Sequence, residues 1–372
     1  MKSMIDLERI LPLWRELEAA GADYVLASVV AVEGPSYRKP GACMLLTADG
    51  RRAGTVSGGC LEAQAASRAW WLTENGPRVE RYSTAEDDGE RPYGSGCGGV
   101  VFLLLERRGT AGPLLAALEQ AFERRTPLAV ATVLEGDLLG RRAFAGLKER
   151  RGDGDSLQDL AEAALAGGKS MERTISVLGT EARAWANLRP ARPGLWIFGA
   201  GDDAQPLVRM AKELGWFVTV ADGRSHLATR ARFPLSDEIR VLRISELPCE
   251  HDAALGGFHT RDAAVLMTHS FDQDVRILAS LLALDAPPAY IGVLGTRRRT
   301  REVLVEVARL LNLPDAPVEE WMGQLHSPMG LDLGADSPET IALSVVAEIQ
   351  KSLVAATGLP LREVRGAVGS PR

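Results

Sequence analysis

The chain lacks several features that would place a protein at once. Its four cysteines, Cys43, Cys60, Cys97 and Cys249, form no C-x-x-C pair, so neither a zinc knuckle nor a thioredoxin-type dithiol is indicated. No apolar run approaches the roughly 20 residues of a membrane-spanning helix, and no membrane partner is expected. The opening stretch, MKSMIDLERILPLWRELEAAG, carries charges throughout and lacks the apolar core of a signal peptide. A cytoplasmic location with free thiols is therefore expected. Cations are outnumbered, 43 Lys and Arg against 49 Asp and Glu for a net charge of −6, which argues against a general nucleic-acid surface. What remains is ordinary for a globular protein: 46% hydrophobic residues over 372 positions, enough for two or three domains with real cores.

The most informative stretch is Leu195 to Arg224, LWIFGAGDDAQPLVRMAKELGWFVTVADGR. An apolar run, Leu195 to Phe198, predicts a buried strand. Gly199, Gly201 and Ala204 then form G-x-G-x-x-A, and Leu207, Met210, Ala211 and Leu214 follow at helical spacing until Gly215. A second apolar run, Phe217 to Ala221, ends on Asp222. This is a β-α-β unit with the dinucleotide-binding fingerprint in its proper context. Gly199 permits the tight turn, Gly201 the approach of a pyrophosphate, and Ala204 close packing of helix on sheet. Asp222 stands where a carboxylate bonds ribose hydroxyls. The alternative is a nucleotide-type fold whose loop is not used, and Asp202 and Asp203 favour that alternative because two carboxylates repel a pyrophosphate.

The first half reads as alternating helices and strands: an amphipathic helix with Ile10, Leu13, Trp14 and Leu17 on one stripe, a strand at Tyr24 to Val32, a turn-rich loop from Glu33 to Gly41, and a returning strand from Cys43 to Thr47. In Gly54-Thr55-Val56-Ser57-Gly58-Gly59-Cys60-Leu61-Glu62, a short strand enters a Ser-Gly-Gly turn and Cys60 begins a helix. A thiol at a helix N-terminus is biased toward thiolate, and Gly58 and Gly59 leave room for a ligand against the backbone. The bland alternative is a small cysteine filling a helix–strand joint. Tyr93-Gly94-Ser95-Gly96-Cys97-Gly98-Gly99 repeats the theme before the strand Val100 to Leu105. Such a loop can form an anion-binding nest of N–H groups around a thiol; the alternative is a flexible turn. A helix at Leu114 to Phe122 and a strand at Leu128 to Leu134 complete an N-terminal α/β or α+β domain over residues 1–139. Periodicity weakens over 140–193, which is read as a linker.

Past the fingerprint, strands at Ala263 to Thr268 and Ala289 to Gly295 each lead into a helix, so a parallel, right-handedly wound sheet is expected over 194–372. Ligands meet such sheets at the C-terminal ends of the strands. Asp222, His269 and Arg297 all fall there. His269 is open as a general base, an anion contact or a strand-end cap. The Arg297 cluster suits phosphate, or is a solvated basic face. A helix from Ile341 to Leu353, capped by Ser337 and Pro338, is apolar on most faces and is expected to be buried in the sheet or in a dimer interface.

The motifs SGGCLE, GSGCGG, IFGAGDDA, MTHSFDQD, YIGVLGTRRR and SPMGLDLGADSPETIALSVVAEI occur in order. Together they resemble the XdhC/CoxI family, accessory proteins of xanthine dehydrogenase and related molybdenum hydroxylases, over nearly the whole chain. The resemblance implies a Rossmann-like C-terminal domain. It also implies a chaperone that binds the molybdenum cofactor (molybdopterin) while a cysteine desulfurase installs its terminal sulfur, and delivers it to the apo-hydroxylase. Cys60 and Cys97 match positions implicated in holding the cofactor, with Gly58, Gly59 and Gly98 beside them. Many relatives carry His where this chain has Asp202. A homodimer and a non-enzymatic role are expected. The competing reading is an NAD(P)-dependent oxidoreductase in which NAD(P) or another nucleotide occupies Gly199, Gly201, Ala204 and Asp222.

Overall fold

A computed structural model describes residues 5–83, 99–147, 151–152, 155–248, 255, 258–259 and 261–364. The chain divides into two compact units, one of Met1–Ala191 with Pro360–Arg372 and one spanning Arg192–Leu359. Three five-stranded sheets lie among the described residues, two in the first unit and one in the second.

The first sheet holds β1 (Tyr24–Glu33), β2 (Cys43–Thr47), β3 (Arg52–Gly54), β4 (Arg78–Ser83) and β5 (Val100–Arg107) in the order β3-β2-β1-β5-β4, all antiparallel. Helix α1 (Ile5–Ala19) buries the stripe Leu7, Ile10, Leu11, Trp14 and Leu17 against one face, together with α3 (Arg108–Arg124). Helix α2 (Cys60–Leu72) covers the other face through Leu61, Ala65 and Ala69. The α1/α3 layer also receives Leu128, Val130 and Phe144 from the second sheet.

That second sheet comprises β6 (Leu128–Val133), β7 (Arg142–Ala145), β8 (Arg151–Gly152), β9 (Met171–Val177) and β10 (Thr180–Arg189), ordered β8-β7-β6-β10-β9. Its outer face packs on α4 (Asp155–Ala166). Residues 140–193, expected to be a linker, thus supply four of these strands and a helix. The weak periodicity has a physical cause: the inward positions of β10 are Ala182, Ala184 and Ala186, all buried. Alanine carries little strand signal in sequence. The buried Glu106 and Arg142 side chains form a bidentate pair between β5 and β7.

The second unit is an open parallel sheet of β11 (Gly194–Phe198), β12 (Phe217–Asp222), β13 (Glu238–Val241), β14 (Ala263–Leu266) and β15 (Tyr290–Val293), in the order β13-β12-β11-β14-β15. The expected α/β class holds for this unit, with antiparallel sheets preceding it. Helices α5 (Ala204–Glu213) and α9 (Pro338–Leu353) cover one face. Helices α6 (Phe271–Leu282), α7 (Arg297–Leu310) and α8 (Val318–Gln324) cover the other. Helix α9 buries Ala342, Val345, Val346 and Ile349, so its apolar character is used largely on this sheet. This unit closes at Leu359 rather than running to 372. No helix among the described residues is long and apolar enough to cross a membrane.

Candidate functional site

The antiparallel meander of the first sheet gathers its loops at one end. Strand β1 leaves the sheet there at Glu33 and β2 re-enters at Cys43; β3 leaves at Gly54, and β4 leaves at Ser83 directly opposite Val100 of β5. The Ser-Gly-Gly-Cys turn is therefore at the same end as Ser83 and Gly99. Cys97 and Gly98 themselves lie outside the described residues. Gly99 fits against the carbonyl of Pro35, where a Cβ would collide. Gly58 faces the ring of Tyr37. The loop Glu33 to Gly41 thus touches both glycine-rich segments. Its Arg38 pairs with the largely buried Asp6. Burial raises the Asp6 carboxyl, and the nearby Arg38 and Arg189 only partly offset it. Cys43 is buried, with its sulfur 3.3 Å from Arg189 Nη2.

Cys60 is the first residue of α2, as the motif predicts. The turn before it is held by a residue whose role the motif alone did not reveal. Glu62, 2% exposed, accepts from the N–H groups of Val56 at 3.2 Å, Ser57 at 2.8 Å and Gly59 at 3.0 Å, and from Ser57 Oγ. Ser57 Oγ in turn accepts from Leu61 N–H at 3.2 Å. The backbone N–H groups of this turn are thus taken by the protein's own carboxylate. Burial raises the Glu62 carboxyl, but the bonds from Ser57 and the backbone outweigh it and hold it below the usual range. A glutamate three residues after the N-cap is a capping-box signal, and that spacing could have found it.

In the second unit, β11 is the first strand laid down. Later strands add to either side of it, so the winding reverses between β11 and β14. The loops after these strands frame the crevice where open α/β sheets take ligands. Gly199 has φ 123°, and a Cβ there would stand 2.6 Å from the Met267 carbonyl, so only glycine fits. Ala204 is fully buried beneath the helix. These two residues do what the fingerprint expects.

Asp222 and Gly201 do not. The Asp222 side chain has no exposure. It accepts from Ala200 N–H at 2.7 Å, from Arg224 N–H at 2.8 Å, and from Arg224 Nε and Nη2 at 2.9 and 2.8 Å. Those four bonds fill a carboxylate's acceptor positions, so Asp222 ties the fingerprint loop to β12 rather than facing a ribose. Burial raises its carboxyl, and the bonds from Arg224 and Ala200 overcome this and lower it. At Gly201, a Cβ would lie 2.5 Å from Asp203 Oδ1. The missing side chain makes room for Asp203's own carboxylate. Asp203 Oδ2 is 3.9 Å from Nε2 of His269, which is 70% exposed. Asp202 points outward to Arg232 at 2.8 Å.

Arg297 is exposed at the start of α7. The arginine that acts at this strand end is Arg299, which pairs at 2.6 Å with the buried Asp274, itself bonded to Thr268 Oγ1. Burial pushes Asp274 upward despite both partners. The motif LHSPMG forms a strap beside β15. His326 bridges to Gly292 in parallel register, and Glu348 of α9 accepts from Tyr290 Oη and Gly330 N–H, each at 2.7 Å, while standing 2.9 Å from His326 Nδ1. No spacing rule identifies that triad beforehand.

Fold and turns together define a two-part protein: antiparallel sheets with a Ser-Gly-Gly-Cys turn, followed by a Rossmann-type unit. The family model described as the XdhC Rossmann domain matches residues 195–349, and that of the XdhC and CoxI family matches residues 17–83. The chain is 31% identical over 342 residues to a probable xanthine dehydrogenase subunit of Bacillus subtilis (strain 168), with 87% of this chain and 92% of that one covered. It is 26% identical over 360 residues to the molybdenum cofactor insertion chaperone PaoD of Escherichia coli (strain K12), covering 92% and 88%. A crystal structure described as a xanthine dehydrogenase from Bacillus halodurans matches with a TM-score of 0.73 at 29% identity, over 97% of this chain and 99% of that one. The chain belongs to the XdhC/CoxI family.

Proposed function

We propose that this chain is a maturation factor that binds the molybdenum cofactor, holds it while a cysteine desulfurase supplies the terminal sulfur, and inserts it into an apo-hydroxylase of the xanthine dehydrogenase type, acting as a homodimer in the cytoplasm. The names of the relatives support the accessory role. The observation that carries the assignment to the first unit is the turn itself: Cys60 opens a 13-residue helix behind Gly58 and a Gly59 held at φ 122°. A cysteine at that position lies at the positive end of the helix, which favours thiolate. The bound cofactor supplies a molybdenum centre ligated by sulfur and oxo groups, soft enough to suit a thiolate neighbour. Cys60 would hold it, and Glu62 keeps the turn in shape without presenting its charge to the ligand.

The rival reading, an NAD(P)-dependent oxidoreductase, would require Asp222 to release both Ala200 and Arg224 before it could meet a ribose. Cofactor retention on protein purified from cells that make molybdopterin, followed by reconstitution of an apo-hydroxylase, tests the proposal. Cys60→Ala is expected to lose most retention and to fail in reconstitution, Cys97→Ala to weaken both less, and Cys249→Ala to match the parent. Normal retention and delivery by a folded Cys60→Ala protein would reduce the thiol to packing.

A further inference from the structure

A sheet ends in strands whose outer N–H and C=O groups have no neighbour, and folds keep such edges short or guard them with Pro and Lys. Among the described residues, the edge strands β8, β3, β13 and β4 are 2, 3, 4 and 6 residues long. Strand β15 is flanked by the strap at His326. Strand β9 is the longest edge, 7 residues reading MERTISV, with neither Pro nor Lys. It joins β10 through a two-residue turn, Leu178 at φ 51° and Gly179 at φ 80°, with Val177 opposite Thr180. Such a turn closes on a hydrogen-bonded pair. By alternation, Val177, Ile175, Arg173 and Met171 bond to β10, whereas Glu172, Thr174 and Ser176 turn their backbone groups outward. All three are exposed. On the α4 face of the same edge, Met171 and Ile175 are only partly buried against the core. At the tip, Leu178 is 68% exposed in a left-handed conformation that Asn or Gly usually fills. An open ladder, an apolar strip along it and an exposed leucine at its end form a surface for a further strand.

The sequence of β9 selects that strand. Laid antiparallel against itself about a two-fold axis at Thr174, it joins all 7 residues: Thr174 meets Thr174, Glu172 meets Ser176, Arg173 meets Ile175 and Met171 meets Val177. Outward backbone groups then face each other, no like charges are opposed, and a threonine pair sits on the axis. An axis at Arg173 would oppose two guanidinium groups, and an axis at Ile175 would set Glu172 against the turn at Leu178. We propose that the β9 edge is the contact between two copies of this chain, joining the second sheet of each into one continuous sheet. The inference rests on the homodimer reading above and deepens it by naming the face.

The test is the oligomeric state of the full chain by sedimentation equilibrium, with thermal midpoints as the check on folding. The parent is expected to be a dimer. The Thr174 side chain is exposed and its backbone faces away from β10, so substitutions there should leave the midpoint unchanged. Thr174→Lys and Thr174→Glu each set like charges across the axis and are expected to raise the dimer Kd about tenfold or more. Mixing the two variants should restore a mixed dimer, because opposite charges then face each other. Thr174→Val should match the parent. If Thr174→Lys and Thr174→Glu each dimerise like the parent, the β9 edge is wrong and the homodimer reading stands. If both dissociate and the mixture does not re-form a dimer, the two-fold register is overturned. If the parent is a monomer up to about 100 µM, the homodimer reading fails and the edge falls with it.

Discussion

Two glycine-bearing turns in this molecule lead a strand into a helix, and both are braced by a carboxylate from the same chain. In Val56 to Cys60 the brace is Glu62, which sits behind the turn and takes three of its backbone N–H groups. In Gly199 to Ala204 the braces are Asp222, holding Ala200 N–H from beneath, and Asp203, whose oxygen lies against Gly201. The difference is which face the carboxylate occupies. Glu62 leaves the outer face of Gly58 to the Tyr37 ring. Asp203 covers the corresponding face of Gly201, where a pyrophosphate would otherwise approach. A glycine-rich motif therefore does not by itself announce a ligand; the side chains filling the space beside it decide.

The sharpest way to break this comparison is to remove the braces. Glu62→Ala leaves three turn N–H groups without their acceptor and is expected to cost about 3 kcal/mol in chemical denaturation, with cofactor retention lost alongside. Glu62→Gln should cost clearly less. Asp222→Ala is expected to cost about 2 kcal/mol, because Arg224 is partly exposed and can be resolvated. The same protein bears on ligand use. If the loop served a nucleotide, a hundredfold excess over Kd would stabilise the parent by about 2.7 kcal/mol. NAD, NADP and ATP are each expected to leave its thermal midpoint unmoved, and a shift of that size would restore Asp222 as a ribose contact.

Acid should expose both braces. Glu62 and Asp222 titrate below their ordinary values in the folded chain. Each therefore contributes stability that is fully present above the unfolded-state pKa, about 4 for carboxylates, and is lost as pH falls through the lower folded value. Denaturation between about pH 5 and pH 2 should show the parent converging on Glu62→Gln as acid removes the advantage; parallel curves would sink the idea. The smallest effect concerns Gly201. Gly201→Ala is expected to cost about 1 kcal/mol by crowding the Asp203 carboxylate, and an Asp203→Ala background should erase most of that cost in a double-mutant cycle.

Much of the second unit was legible in advance because its strands are continuous apolar runs ending at glycine turns, as buried parallel strands require. Asp222 was placed at the right strand tip, but its direction was not legible, since bonding to Ala200 and Arg224 depends on how a side chain turns after the backbone is set. Among the arginines after β15, Arg299 rather than Arg297 carries the ion pair, because only a position further into the first turn of α7 reaches Asp274. In the first unit only β6 of the second sheet was legible in advance. Its strand β9 is mostly exposed, and β10 turns alanines inward, so neither offers the alternation of bulky residues that marks a strand. Tyr37 and Gly58 were visible as letters, yet their proximity is a product of the meander.

The Glu62 brace also fixes when order is acquired. A turn rich in glycine is among the most disordered segments of an unfolded chain, and a ligand that had to organise it would lose affinity to that ordering. Here the carboxylate organises the turn during folding, so an arriving ligand meets a finished surface. Association at this end of the sheet should then be governed by encounter rather than by loop closure, and release should not require the turn to melt. For a protein whose proposed task is to accept a cargo and surrender it, a rigid receiving surface keeps both steps free of a conformational barrier.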